Sequence, residues 1–284
     1  MPHRALALAF VVLAALVASS EAEAQETPYF VTYDHYLEEP GALELAFNPV
    51  FGTQRGGNDF LAAFAEIEYG ATAWWTTELY LDGQNTENDS TLFTGFRWEN
   101  RFRPLAREHA VNPIVYVEYE DTNGADKILK EIVGHDVEAD HAEPNSELRK
   151  ERERELELKL ILSSAIKGWN ISENIIAVKN LAGEPWEFGY AFGVSRPLAL
   201  EASAARCSLC RENFVAGLEM YGGLGDTEQF GLEGTSHYLA PLIAWNLPVG
   251  VSLRLSPGWG LNADSHRFLL RFGVSYEFSH VGRR

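Results

Sequence analysis

The sequence predicts an all-β chain closed into a single antiparallel transmembrane β-barrel of twelve strands. Three observations predict it. Twelve segments alternate apolar with polar residues, the period of two that sends successive side chains to opposite faces of a strand. Tight two-residue links recur among longer polar ones. The chain begins with a segment of export character, and no later apolar run reaches the ~20 residues a spanning helix needs.

Residues 1–24 read as a cleaved signal. Arg4 supplies the positive start, Leu6 to Val17 the apolar run, and Ala22-Glu23-Ala24 a small-x-small site before Gln25. An exported chain that enters a membrane without helices must close a barrel, because every backbone polar group needs a partner there. About 260 residues remain, enough for one large barrel or two soluble domains. The net charge of −18 argues against nucleic acid and against anionic lipid headgroups as partners. The hydrophobic fraction is an ordinary 46%, as expected where a polar lumen offsets a lipid-facing surface.

The elements follow in order. Residues 25–40, acidic and aromatic (Tyr29, Phe30, Tyr33, Tyr36), form a periplasmic lead-in packed against the barrel or inside it; residues 41–278 form the barrel and 279–284 a tail. Strand 1, Ala42–Phe51, puts Leu43, Leu45 and Phe47 on one face. Strand 2, Phe60–Gly70, sets Leu61, Ile67 and Tyr69 against Glu66 and Glu68. Strand 3 is Ala73–Leu81, with Trp75, Leu79 and Leu81 against Glu78. Strand 4, Thr91–Arg103, sets Phe96 and Trp98 against Arg97, Glu99, Arg101 and Arg103. Strand 5, Pro113–Glu120, has Val115, Val117 and Tyr119 against Tyr116, Glu118 and Glu120. Strand 6, Glu151–Leu162, is rich in helix formers. Its leucines 156, 158, 160 and 162 nevertheless recur every second residue, between Glu155, Glu157 and Lys159. A helix would scatter them, so a strand is expected. Strands 7 to 12 are Trp169–Leu181, Trp186–Ser195, Phe214–Gly222, His237–Asn246, Val249–Pro257 and Arg267–Phe278.

Ala71-Thr72, Lys167-Gly168 and Leu247-Pro248 are tight links, and most others are longer. Short turns at one end and long loops at the other is the outer-membrane layout, with the short side periplasmic. The link Pro104–Asn112 exceeds a turn, and Pro197–Asn213 is read as a turn insertion. The last strand is the sharpest two-faced ribbon: Phe268, Leu270, Phe272, Val274, Tyr276 and Phe278 against Arg267, Arg271 and Glu277. Periodicity by itself also fits a soluble sheet with its greasy face inward; the export signal and loop pattern point that face to lipid.

The signal, the repeated dyad alternation and the closing Tyr276-Glu277-Phe278 together resemble the porin-like transmembrane β-barrel proteins of Gram-negative outer membranes. The resemblance spans the mature chain and is architectural. It implies an outer-membrane location, contact with outer-membrane lipid, and recognition of a terminal aromatic by the barrel-assembly machinery. Ser279–Arg284 follow that aromatic, a departure from the pattern.

With the greasy face toward lipid, the lumen is expected to be lined by Glu66, Glu68, Glu78, Arg97, Glu99, Arg101, Arg103, Glu118, Glu120, Glu155, Glu157, Lys159, Lys179, Glu187, Glu219, Arg254, Arg267, Arg271 and Glu277. The arginines of strand 4 between acidic neighbours, and those of strands 11 and 12 beside Glu44 of strand 1, suggest a transverse field that selects small polar solutes. A passive channel for small polar or ionic solutes is therefore expected. The alternatives are a closed barrel that binds or supports the cell surface, or a lipid-modifying hydrolase.

The acidic loop 121–150, with Gly134-His135-Asp136-Val137-Glu138-Ala139-Asp140-His141, lacks a metal-ligand spacing and reads as a solvated outer loop able to fold into the mouth. Cys207 and Cys210, with no second pair and no following histidine, read as a local disulfide rather than a zinc, haem or redox motif. Ser236-His237 and Asp264-Ser265-His266 lie near outer strand ends, but neighbours in a strand face opposite ways, so neither cluster makes a nucleophile and base by itself. Gly222-Gly223-Leu224-Gly225 lacks the lysine and helix of a phosphate loop and reads as a strand end. No catalytic residue, metal or cofactor is expected.

Overall fold

The computed structural model describes residues 27–128, 133–135, 143–203 and 207–278. The expected export signal and the tail lie outside the described residues. Twelve strands form: β1 Leu43–Thr53, β2 Phe60–Thr72, β3 Trp75–Thr86, β4 Thr91–Phe102, β5 Asn112–Asn123, β6 Arg152–Ile166, β7 Trp169–Asn180, β8 Trp186–Pro197, β9 Phe214–Asp226, β10 His237–Leu247, β11 Val251–Gly260 and β12 Phe268–Phe278. Each is antiparallel to its chain neighbours, and β12 pairs with β1 to close the barrel. Closure leaves no free edge.

The expected and observed strands agree to within a few residues, with two informative extensions. β3 runs five residues past Leu81 because its ladder with β2 continues through polar Asp82 to Thr86. β9 runs through the glycine-rich stretch to Asp226 instead of ending at Gly222, paired there with β8. β6 is a strand despite its helix-forming residues, laddered on both sides. Its leucines face out while Glu157, Lys159, Ile161 and Ser163 are buried inside. Between β8 and β9, residues 198–203 carry no strand and Arg211–Asn213 make a 3-10 turn.

The faces are inverted relative to a soluble protein. Leu45, Phe47, Leu61, Ile67, Leu81, Trp98, Leu160, Ile175, Phe192, Ile243, Leu255 and Phe272 are exposed on the outside. The inside holds buried Glu, Arg, Asn, Ser and Tyr. A twelve-residue strand tilted as in barrels rises roughly 30 Å, about the thickness of a hydrocarbon core. Aromatics gather at the short-turn end. Trp75 stacks with Phe102 at 6.3 Å, Phe214 with Trp245 at 5.6 Å, and Tyr276 meets Phe278 edge-on at 4.6 Å. Such a girdle suits a membrane interface, where an amphipathic ring keeps one end wet.

Lys167 and Gly168 join β6 to β7 with φ of 53° and 81°. Both are positive, as a two-residue hairpin turn matched to strand twist requires. The longest link at that end, between β8 and β9, carries a disulfide joining Cys207 to Cys210. It closes a four-residue loop, for which chain entropy allows at most about 2 kcal/mol. Replacing both cysteines by serine should lower the melting midpoint by a few degrees at most, read by differential scanning calorimetry, and leave any conductance unchanged.

Candidate functional site

The register builds a feature that a strand-by-strand reading does not display. Glu277, Glu44, Glu68, Glu78, Glu99, Glu118 and Glu157 are direct cross-strand partners in succession, from β12 through β1 to β6. All seven are buried on the inward face. Like charges directly opposite one another repel, so cations are interleaved in the flanking rows. Arg101 contacts Glu68, Glu78 at 3.2 Å and Glu99 at 2.8 Å. Arg97 pairs with Asp82 at 3.1 Å and Glu118 at 3.6 Å, its guanidinium 3.9 Å from the Tyr80 ring centroid. Lys159 pairs with Glu157 at 2.5 Å and lies 4.1 Å from the Tyr116 ring centroid. Arg97 and Arg101 thus sit among the carboxylates of one wall, whereas Arg254 donates to the Tyr29 carbonyl and Arg271 to the Tyr221 hydroxyl. Carboxylates still dominate: the strands bury ten acidic residues and five basic ones.

The facing wall is different. Inward positions of β7 to β10 include Ser172, Asn174, Ile176, Ala191, Tyr221, Tyr238 and Ala240, with Glu219 as the buried carboxylate. Residues 27–39 cross the lumen against this wall. Glu219 accepts the backbone N–H groups of Phe30 (3.2 Å), Val31 (2.9 Å) and Thr32 (2.7 Å). Asn174 accepts from the Tyr33 N–H at 2.7 Å and donates to its carbonyl at 2.9 Å. Arg254 donates to the Tyr29 carbonyl at 3.1 Å. On the acidic wall the Tyr33 hydroxyl donates to Glu99 at 2.9 Å. The segment is held by side chains from both walls and joins no strand ladder. Burial pushes the Asp34 carboxyl above its usual range, partly offset by the Tyr36 N–H. Gly193 makes the close approach possible: a Cβ there would fall 2.7 Å from the Tyr29 ring.

The outer mouth is covered by the start of the β5–β6 loop. Gln84 donates to the Ala125 carbonyl at 2.8 Å and accepts from the Lys127 N–H at 3.1 Å; Thr94 donates to Asp126 at 2.7 Å, and the His266 ring to the Lys127 carbonyl at 2.9 Å. Val133 of the same loop belongs to one buried apolar cluster with Val31, Phe60, Tyr221 and Leu269. Residues 136–142, which complete the His/Asp/Glu stretch, lie outside the described residues. Below these closures a cavity of about 1120 Å³ is lined by Glu44, Glu66, Glu68, Arg101, Arg254 and Arg271, and reaches the short-turn residues Trp169 and Pro248.

Thirteen of the residues expected in the lumen are buried on inward faces: Glu68, Glu78, Arg97, Glu99, Arg101, Glu118, Glu120, Glu157, Lys159, Glu219, Arg254, Arg271 and Glu277. Glu66, Glu155 and Glu187 are half-buried, and Arg103 lies just past β4, donating to the His35 carbonyl at 3.0 Å. Two placements correct the expectation. Lys179 shares the outward face of β7 with Ile171 and Ile175, because the inward positions are Ser172, Asn174, Ile176, Val178 and Asn180; its amine reaches the Glu184 carbonyl at the loop end. Arg267 precedes β12 at the outer rim and is exposed. Asp82 was missed because the expected strand 3 stopped one residue short of it. Ser236 donates to the Asp264 carbonyl at 2.8 Å and Ser265 to the His237 carbonyl at 2.9 Å. The His237 ring meets Tyr190 and Thr235, so these residues assemble no serine–imidazole pair.

No protein-family model matches the sequence, and no curated protein does. Solved structures do. The chain is similar to an outer-membrane channel from Pseudomonas putida F1, with a TM-score of 0.55 at 10% identity over 86% of this chain and 98% of that one. It is also similar to KdgM porin, with a TM-score of 0.51 at 7% identity over 83% and 99%, and equally to KdgM in complex with disordered oligogalacturonate. At these identities the likeness is one of fold: the chain shares a β-barrel with these proteins, and its own closed barrel has twelve strands.

Proposed function

We propose that this barrel is a cation-preferring channel for small polar solutes in the outer membrane of a Gram-negative bacterium, shut at rest by its own residues 27–39. The export signal at 1–24 and contacts with lipid and the assembly machinery belong to the same reading. The observation that carries it is the charge of the lumen, where the strands bury ten acidic residues and five basic ones, beside a segment whose backbone is held by the side chains of Glu219 and Asn174. Rings of carboxylates favour cations in pores. The known folds it resembles are those of a channel and a porin, which supports passage of solutes at that level.

In a planar bilayer under a potassium chloride gradient, open events should reverse at a potential of cation-selective sign. Glu118→Gln combined with Glu157→Gln should move the reversal toward zero. Anion selectivity in the parent protein would sink the assignment. The occluded lumen favours one second reading, a permanently closed surface barrel; absence of conductance after the segment is released would establish that instead.

A further inference from the structure

We propose that Glu118, Glu120 and Glu157 form a site for one divalent cation of the calcium class on the lumen wall between β5 and β6. Glu118 and Glu157 are direct cross-strand partners, and Glu120 lies two residues along β5 on the same face. One carboxylate oxygen of each lies within 4.8 Å of the others. Calcium suits such a set, since it takes six to eight oxygens in flexible geometry, whereas magnesium demands near-ideal octahedral geometry and keeps several of its waters.

The second observation is Glu120 itself. It is only 4% exposed, and it makes no hydrogen bond or ion pair with any described residue, while its oxygen converges on the cluster. Its neighbours are differently placed. Arg97 lies across from Glu120 in the β4–β5 ladder, but its guanidinium is bonded to Asp82 and lies 3.6 Å from Glu118, and Lys159 sits on Glu157. Four carboxyl groups here share two bases in a confined space, so ionising all four calls for two further positive charges. A buried charge without a counter-charge is strongly unfavourable, and one divalent cation supplies the balance. Water from the lumen would complete the six to eight oxygens that calcium takes. The other acidic group, Glu44, Glu66 and Glu68, is better satisfied: Arg101 holds Glu68, and Asn48 donates to Glu66 at 3.0 Å. The inference goes beyond the channel reading and does not require conduction, since a closed barrel would hold the same ion.

The test uses the full-length barrel in detergent, stripped with chelator and titrated with calcium chloride by calorimetry, with melting followed in parallel. One calcium should bind per barrel and raise the melting temperature. Glu120→Gln should weaken binding at least tenfold and raise the melting temperature of the metal-free protein, because it relieves repulsion; a residue that merely packs would not do both. Glu66→Gln should leave calcium binding unchanged. Folding is checked by heat-modifiable migration on gels. If Glu120→Gln does not fold, Glu120→Asp keeps the charge, shortens the reach and should bind measurably more weakly than the parent. Absence of saturable binding at millimolar calcium, parent-like binding in the Glu120 variant that folds, or loss of binding in Glu66→Gln would each overturn the proposal.

Discussion

Replacing Glu219 with alanine should raise the open fraction of the barrel by roughly a hundredfold. Three consecutive backbone N–H groups of the plugging segment end on this one carboxylate. Hydrogen bonds to a charged group contribute about 1.5–3 kcal/mol each. A net loss on the order of 3 kcal/mol, after water reaches some of the freed donors, corresponds to about two powers of ten in the seated-to-released ratio. Glu219→Gln keeps an acceptor oxygen and should have a smaller effect in the same direction. The measurement is the frequency and duration of openings in planar bilayers, on protein shown to be folded. An open fraction unchanged in the alanine variant would mean that the segment is held elsewhere.

Phe272→Lys should block assembly of most of the protein. Phe272 is 39% exposed near the middle of β12, on the face shared with Leu270. A lysine on the lipid face costs about 2–4 kcal/mol at the bilayer midplane. β12 also carries the closing ladder to β1, so weakening its insertion weakens closure of the whole barrel. Folded yield into lipid vesicles, read by heat-modifiable migration, should fall several-fold, whereas Arg271→Ala, which changes a lumen residue bonded to the Tyr221 hydroxyl, should fold and alter conductance. Equal yields for Phe272→Lys and the parent would place that face away from lipid.

The strands and the orientation of their faces are legible in the sequence because a barrel wall is built from a local, period-two signal. Leu156 to Leu162 on β6 outweigh the helix propensity of their neighbours for that reason. Local alternation fails at strand ends: it stops β3 before Asp82, and it places Lys179 by charge type when its parity puts it outside. The row of seven glutamates is invisible in any one strand. It depends on the register between six pairs of strands, which turn geometry and bulges such as that between Asp82 and Gly83 set together. The seat of residues 27–39 is also non-local: Glu219 is nearly 190 residues from the amides it binds, and a carboxylate in the middle of a strand of glycines and apolar residues reads like any other lumen charge. The aromatic, acidic character of residues 25–40 was the one local hint that they pack inside.

In the channel proposed above, residues 27–39 act as a displaceable plug. Thr32 and Gly193 lie side by side, with the Gly193 Cβ position 3.0 Å from the Thr32 methyl. Thr32→Cys with Gly193→Cys, in a background of Cys207→Ser, Cys210→Ser and Tyr29→Ala, the last removing the ring that a Cβ at 193 would meet at 2.7 Å, therefore ties the segment to β8 through a reducible bond. In a planar bilayer the oxidised protein should stay near baseline and show stepwise openings once reductant is added, reversibly. The same current in the oxidised and reduced states, or no current in either, would mean that residues 27–39 do not gate the barrel.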